Sequence, residues 1–145
     1  MTGGSVAKPK LDAVLAGVAI FEGLSKKQLR QIAAVCQLVD YMAGHSIVRE
    51  GEAGDSFFVI LHGQAKVTVK GRTIHRALPG DHFGEISLLD GGPRTATVAS
   101  ETPMKLLQIG RRQFLHAIEN DPQISYAMMG TMARMIRRVD RSLAG

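Results

Sequence analysis

Apolar residues first recur with a helical period. Leu11, Val14, Leu15 and Val18 predict a short helix ending near Gly17, and Ser25 stands where it can cap a second one running through Leu29, Ile32, Ala33 and Cys36. Between Gln37 and Leu78 the period falls to two, and turn signals interrupt it at Ala43-Gly44, Gly51-Glu52-Ala53-Gly54-Asp55, His62-Gly63 and Lys70-Gly71. Strands at that spacing predict an antiparallel sandwich or barrel. Phe57-Phe58-Val59-Ile60-Leu61 is its most apolar and most buried strand. In Lys66-Val67-Thr68-Val69-Lys70 the two valines face inward and the other three meet water. Pro79-Gly80 turns the chain into Phe83–Leu89, an apolar run of one or two helical turns, and a Gly91-Gly92-Pro93 corner leads into a strand from Ala96. Met104–Ile109 forms the last strand. Arg111 opens a helix that Asp121-Pro122 stops, and a final helix carries its apolar stripe through Ile124, Met128, Met132, Met135, Ile136 and Val139. Residues 1–10 show no periodicity and are expected to be disordered. The fold class is mainly β with flanking helices, one domain over residues 11–145.

Composition narrows this picture without changing it. With 145 residues, 45% of them hydrophobic and 21% charged, the chain is sized for one globular domain. No apolar run approaches the roughly 20 residues that cross a bilayer, and no apolar signal segment opens the chain, so no membrane partner and a cytoplasmic location are expected. Cys36 is the one cysteine; it sits in an apolar pattern as an inert thiol. The net charge of +5 is mostly scattered and few aromatics accompany it, so an anionic ligand and solubility explain it as well as a polyanion does and no nucleic-acid partner is expected.

The chemistry gathers in residues 83–98. A short helix after Gly84 offers unpaired N–H groups and the positive end of its dipole. Arg94 adds a permanent charge with a planar donor fork that can take two phosphate oxygens. Glu85 would repel a phosphate if it pointed the same way, but it can accept hydrogen bonds from hydroxyls beside one. The pair points to a ligand that carries both an anion and a diol.

Phe83-Gly84-Glu85, then Leu88-Leu89, Pro93-Arg94 and Ala96-Thr97-Val98, resemble the phosphate-binding cassette of the cyclic-nucleotide-binding domain family. Phe21-Glu22-Gly23-Leu24-Ser25 and the run from Ile47 to Phe57 followed by Gly63 are similar to other parts of that family. The resemblance implies a jelly roll with an N-terminal helical bundle, a short cassette helix and C-terminal lid helices. It implies that Glu85 takes the ribose 2′-hydroxyl, that Arg94 takes the cyclic phosphate, and that the amides of Gly84, Ile86 and Ser87 complete the cradle. Phe83, Thr95 and Ala96 join the binding set, and the family's lid helix implies a purine contact from Arg134, Arg137 or Arg138. Gly51, Gly54, Gly63 and Gly80 are expected where the backbone turns with positive φ.

The function expected is that of a non-catalytic sensor for cAMP, with cGMP as an option because Thr95 stands where the cGMP-selective kinase branch carries a threonine. No cofactor or metal is called for. Phosphate capture is expected to shift the cassette helix and let a hinge around Glu119, Asp121 and Pro122 swing the last helix over the base. Output then passes to an effector protein or through self-association, without direct DNA binding, since few residues follow the cassette. Two alternatives stand beside this. One is a metal-dependent enzyme of the cupin type using His75, His82 and Glu85; the other is an interaction module that keeps the fold without a ligand.

Overall fold

A computed structural model describes residues 11–144, so the expectation for residues 1–10 lies outside the described residues. In chain order come helix α1 (Leu11–Ala16), a 3-10 turn (Ala19–Phe21), helix α2 (Lys26–Ala34), strands β1 (Gln37–Tyr41), β2 (Ser46–Val48), β3 (Ser56–His62), β4 (Ala65–Val69), β5 (Arg72–Ala77) and β6 (His82–Phe83), helix α3 (Glu85–Asp90), strands β7 (Thr97–Ser100) and β8 (Met104–Gly110), and helices α4 (Arg111–Asn120) and α5 (Gln123–Ala144). The chain forms two compact units, one from Val35–Leu115 and the other from the segments up to Ala34 and from His116 onward.

The Val35–Leu115 unit holds two four-stranded antiparallel sheets, ordered β1-β8-β3-β6 and β2-β7-β4-β5. Between them Phe58, Ile60, Met104 and Leu106 of the first sheet meet Ala65, Val67, Ala77 and Val98 of the second. This is the expected jelly roll. β3 is buried at its first five positions, which is why its sequence reads as a continuous apolar run rather than an alternation. β4 alternates only as far as Val67. A register shift against β5 between Val67 and Thr68 breaks the pleat there, and Val69 is left half-exposed rather than facing inward. Gly51, Gly63 and Gly80 have the expected positive φ, whereas Gly54 does not.

In the other unit α1, the 3-10 turn and α2 pack through Leu15, Val18, Phe21, Leu24, Leu29 and Ile32, all buried. Ser25 caps α2 as expected: its hydroxyl accepts from the Gln28 amide at 3.1 Å, and Gln28 Oε1 accepts from the Ser25 amide at 2.9 Å. The helix stops at Ala34, so Cys36 lies beyond it, half-buried, with its thiol pKa pushed up to about 12 by burial. Asp121 and Pro122 separate α4 from α5 as the sequence predicts.

The apolar residues of α5 form two stripes rather than one. Ile124 and Met128 are buried, with the polar Thr131 buried beside them, and Met135 continues that row half-buried. Met129, Ile136, Val139 and Leu143 are exposed, with Met132 between them half-buried. Among the described residues no helix is long and apolar enough to cross a membrane.

Candidate functional site

Two glycines decide where the charged groups of the site can stand. Gly84 precedes α3 with φ of +94°, a conformation that favours glycine, and it also leaves room for an arginine. A Cβ at Gly84 would lie 2.6 Å from Arg94 Nη1 and 2.7 Å from the Ser56 carbonyl oxygen. Gly54 matters through proximity alone. A Cβ there would run into the Ser87 side chain and stand 2.8 Å from Arg94 Nε, so this glycine is needed for close approach and not for a left-handed turn.

The segment bearing Arg94 is held at both ends. The Arg94 amide donates to Glu52 O at 2.8 Å, the Gly51 amide donates to Arg94 O at 2.9 Å, and the Gly54 amide donates to Gly92 O at 3.1 Å. Inside the corner, Ser87 Oγ also donates to Gly92 O at 3.1 Å, and Asp90 Oδ1 accepts from the Gly92 amide at 2.8 Å. Arg94 emerges from this clamp only 8% exposed, with Nη1 donating to Ser56 O at 2.7 Å. Burial lowers its pKa and the nearby Asp55 charge opposes that. A guanidinium stays charged under such a shift. The result is a fixed, partly desolvated cation.

Glu85 opens α3 and is about one-third exposed, its Oε2 accepting from His82 Nδ1 at 3.3 Å. Burial raises its pKa, but the His82 hydrogen bond, its own backbone amide and the His82 charge together outweigh burial and hold the carboxyl below its usual range. It is therefore an ionised acceptor near neutrality. Phe83 pairs with Phe58 across β6 and β3, and the two rings stack at 5.0 Å, which fixes the wall beside Gly84.

Phe83 through Ser87 and Arg94 through Ala96, the whole cassette set singled out in the sequence, line one open cleft of about 400 Å³, joined by Val48 and Val98. The cleft has an apolar side, a cation, and the first turn of α3, whose leading N–H groups have no partner within a helix. It suits a ligand with a flat apolar part, an anionic group and hydroxyls. Sequence reasoning missed Val48 and Val98, the Ser56 carbonyl, and His82 as the partner of Glu85. The spacing of three between His82 and Glu85 was the one available signal for the last.

Arg134, Arg137 and Arg138 belong to the helical unit. They line a cleft of their own there, with Glu22 and Arg141, and Arg134 Nη2 donates to Thr131 Oγ1 at 3.0 Å. A purine contact from them is carried by the resemblance alone. For the cupin alternative, among the described residues no three His, Cys, Asp or Glu side chains gather to hold a metal. His75 lies on β5 opposite Val67, in the other sheet from His82.

Comparison with known proteins gives a consistent result. The model of the family described as "Cyclic nucleotide-binding domain" matches residues 38–121. A CRP-like cAMP-activated global transcriptional regulator of Mycobacterium tuberculosis is 31% identical over 139 residues, 92% of this chain and 62% of that protein. The chain thus spans less than two-thirds of that relative's length. A cGMP-dependent protein kinase of Caenorhabditis elegans is 40% identical over 107 residues, 69% of this chain and 14% of the kinase. Among solved structures, the N-terminal domain of a transcriptional regulator from Streptomyces coelicolor A3(2) superposes with a TM-score of 0.81 at 27% identity, covering 90% of this chain and 94% of that one.

Proposed function

From the premise that this chain belongs to the cyclic nucleotide-binding domain family, we propose that it is a cAMP sensor whose cleft holds the cyclic phosphate on Arg94 and the ribose on Glu85. The observation that carries the reading is the convergence of a buried, clamped guanidinium and an ionised carboxylate in one cleft that the first turn of α3 also lines. Nη1 of Arg94 is engaged with Ser56 O, so the rest of its fork meets phosphate oxygens together with the amides of Ile86 and Ser87. Glu85 accepts from the 2′-hydroxyl, and the apolar wall of Val48, Phe83, Ala96 and Val98 takes the sugar and base. The cAMP-activated relative, aligned over nearly the whole chain, favours cAMP, and Thr95 at the cleft keeps cGMP as the second ligand to titrate.

A charge-assisted hydrogen bond contributes about 1.5–3 kcal/mol, so Arg94→Ala is expected to weaken cAMP binding by roughly 10- to 150-fold. Arg94→Lys, which keeps the charge without the fork, recovers only part of it. Calorimetry with cAMP and cGMP, on variants whose circular dichroism matches the parent, is the measurement. Binding by Arg94→Ala at parental strength removes the assignment.

Output runs through α5. Met129, Met132, Ile136, Val139 and Leu143 recur at alternating intervals of three and four, which is the seam of a two-stranded coiled coil. Arg134, Arg137, Arg138 and Arg141 fall on the opposite face, clear of such a seam. The reading is self-association of two copies along α5, coupled to the cleft through the break at Asp121-Pro122, where the helix ladder is interrupted. Light scattering with and without cAMP reads this directly.

A further inference from the structure

Arg134, Arg137, Arg138 and Arg141 stand at i, i+3, i+4 and i+7 of α5, which puts them on one face over about 10 Å of helix axis. With Glu22 they line a cleft of about 530 Å³. Among the described residues none of the four takes part in an ion pair; the pairs present are Arg76–Glu101, His82–Glu85 and Lys105–Asp40. Four guanidinia against one carboxylate leave a local charge of +3 (4 − 1). Like charges three and four residues apart repel, so this arrangement weakens its own helix unless an anion offsets it.

One member of the cluster is held in place. Thr131 is 1% exposed; its Oγ1 donates to Ala127 O at 3.2 Å and accepts from Arg134 Nη2 at 3.0 Å. Gly23 makes this possible, since a Cβ there would lie 2.8 Å from Thr131 Oγ1. A buried hydroxyl that orients an exposed guanidinium is what a recognition site needs and what a solvated face does not.

We propose that this cleft binds a polyphosphate of two or three linked phosphate groups, a second anionic ligand whose site is independent of the cyclic nucleotide reading. A single phosphate has too few oxygens to meet four forks spread along that length. An extended peptide presenting three carboxylates on one side places them at i, i+2 and i+4, with the outer two roughly 14 Å apart, longer than the cationic face. Linked phosphates concentrate the charge within it, and planar guanidinium forks match their oxygens.

The test is calorimetry of the full chain with inorganic tripolyphosphate, with orthophosphate, hexaglutamate and a single-stranded oligonucleotide as competitors. The expected result is one-to-one binding of tripolyphosphate, at least tenfold weaker in Arg134→Lys/Arg138→Lys, which retains the charge but not the forks, and unchanged in Arg94→Ala. Circular dichroism establishes that each variant is folded. Equal binding by the lysine variant reveals a diffuse charge effect and overturns the proposal, as does the absence of binding. Tighter binding of hexaglutamate or of the oligonucleotide overturns it in favour of a protein or nucleic-acid partner.

Discussion

The cassette and the outer half of α5 depart from the rule of apolar inside and charged outside in opposite directions. In the cassette a charged side chain is buried: Arg94 is 8% exposed, lodged against Ser56 and Gly54. Along α5 apolar side chains are exposed, Ile136 at 62% and Leu143 at 81%. Each departure carries a cost. Burying a cation is expensive unless it is hydrogen-bonded, and a run of exposed apolar groups leaves favourable burial unused. A cost kept in a folded chain marks a place where something else supplies the missing partner. On the function proposed above, that partner is a small anion in the cassette and a second copy of the helix along α5.

The largest expected effect falls on the glycine that makes the buried side of this contrast possible. Gly84→Ala combines a positive φ, which costs an L-residue about 1–2 kcal/mol, with overpacking against a backbone oxygen that cannot retreat, about 1–3 kcal/mol more. The sum is about 2–5 kcal/mol, or roughly 5–15 °C in melting temperature for a chain of this length. Thermal denaturation followed by circular dichroism is the check. A melting point within about 2 °C of the parent would show that Arg94 is not wedged where it is described, and the contrast with α5 would lose one of its two sides.

A smaller effect tests whether Glu85 is tuned or merely present. Its pKa is held below the ordinary 4.5 against the upward pull of burial, chiefly by the hydrogen bond from His82. A carboxyl with a depressed folded pKa contributes stability that is complete above its unfolded value and is lost as pH falls through the folded one. His82→Phe removes the donor and leaves burial, so the Glu85 pKa rises and its contribution above about pH 5 vanishes or changes sign. The variant is expected to be less stable than the parent by on the order of 1 kcal/mol near neutrality, after allowance for solvent screening, with the gap closing as the pH drops below 4.5. Melting curves of both proteins across that range decide it; a gap that does not vary with pH removes His82 from the account of the site.

What the sequence made legible follows from where the chemistry resides. On the proposed reading Glu85 and Arg94 act through side chains at fixed separation along a continuous stretch, so their types and spacing announce the cassette. The Ser56 carbonyl and the amides of Gly51 and Gly54 act through the backbone of a segment some forty residues earlier in the chain, and no residue letter records a carbonyl or an amide. Gly54 shows the same limit. Its letter permits either a left-handed turn or a close approach, and only the position of Ser87 and Arg94 selects the second. The break in β4 at Thr68 depends on how β5 registers against it, which the alternation in β4 alone does not contain. In α5 the apolar residues are plainly helical, but which of the two rows is buried depends on what packs there.

The smallest effect on stability comes from the exposed side of the contrast, where it separates folding from assembly. Ile136→Lys replaces a side chain that is already 62% exposed, so the folded monomer should change by no more than about 0.5 kcal/mol. In a paired α5 the same position sits in the middle of the seam between Met132 and Val139, and a lysine there places two like charges against each other in an apolar setting. Light scattering over a range of protein concentrations is therefore expected to show parental dimers and variant monomers with matching melting curves of the monomeric species. A parent that stays monomeric at every concentration, with cAMP and without it, would mean that the exposed row serves a different partner. A variant that unfolds would place Ile136 inside the helical unit and make the two rows of α5 a single core.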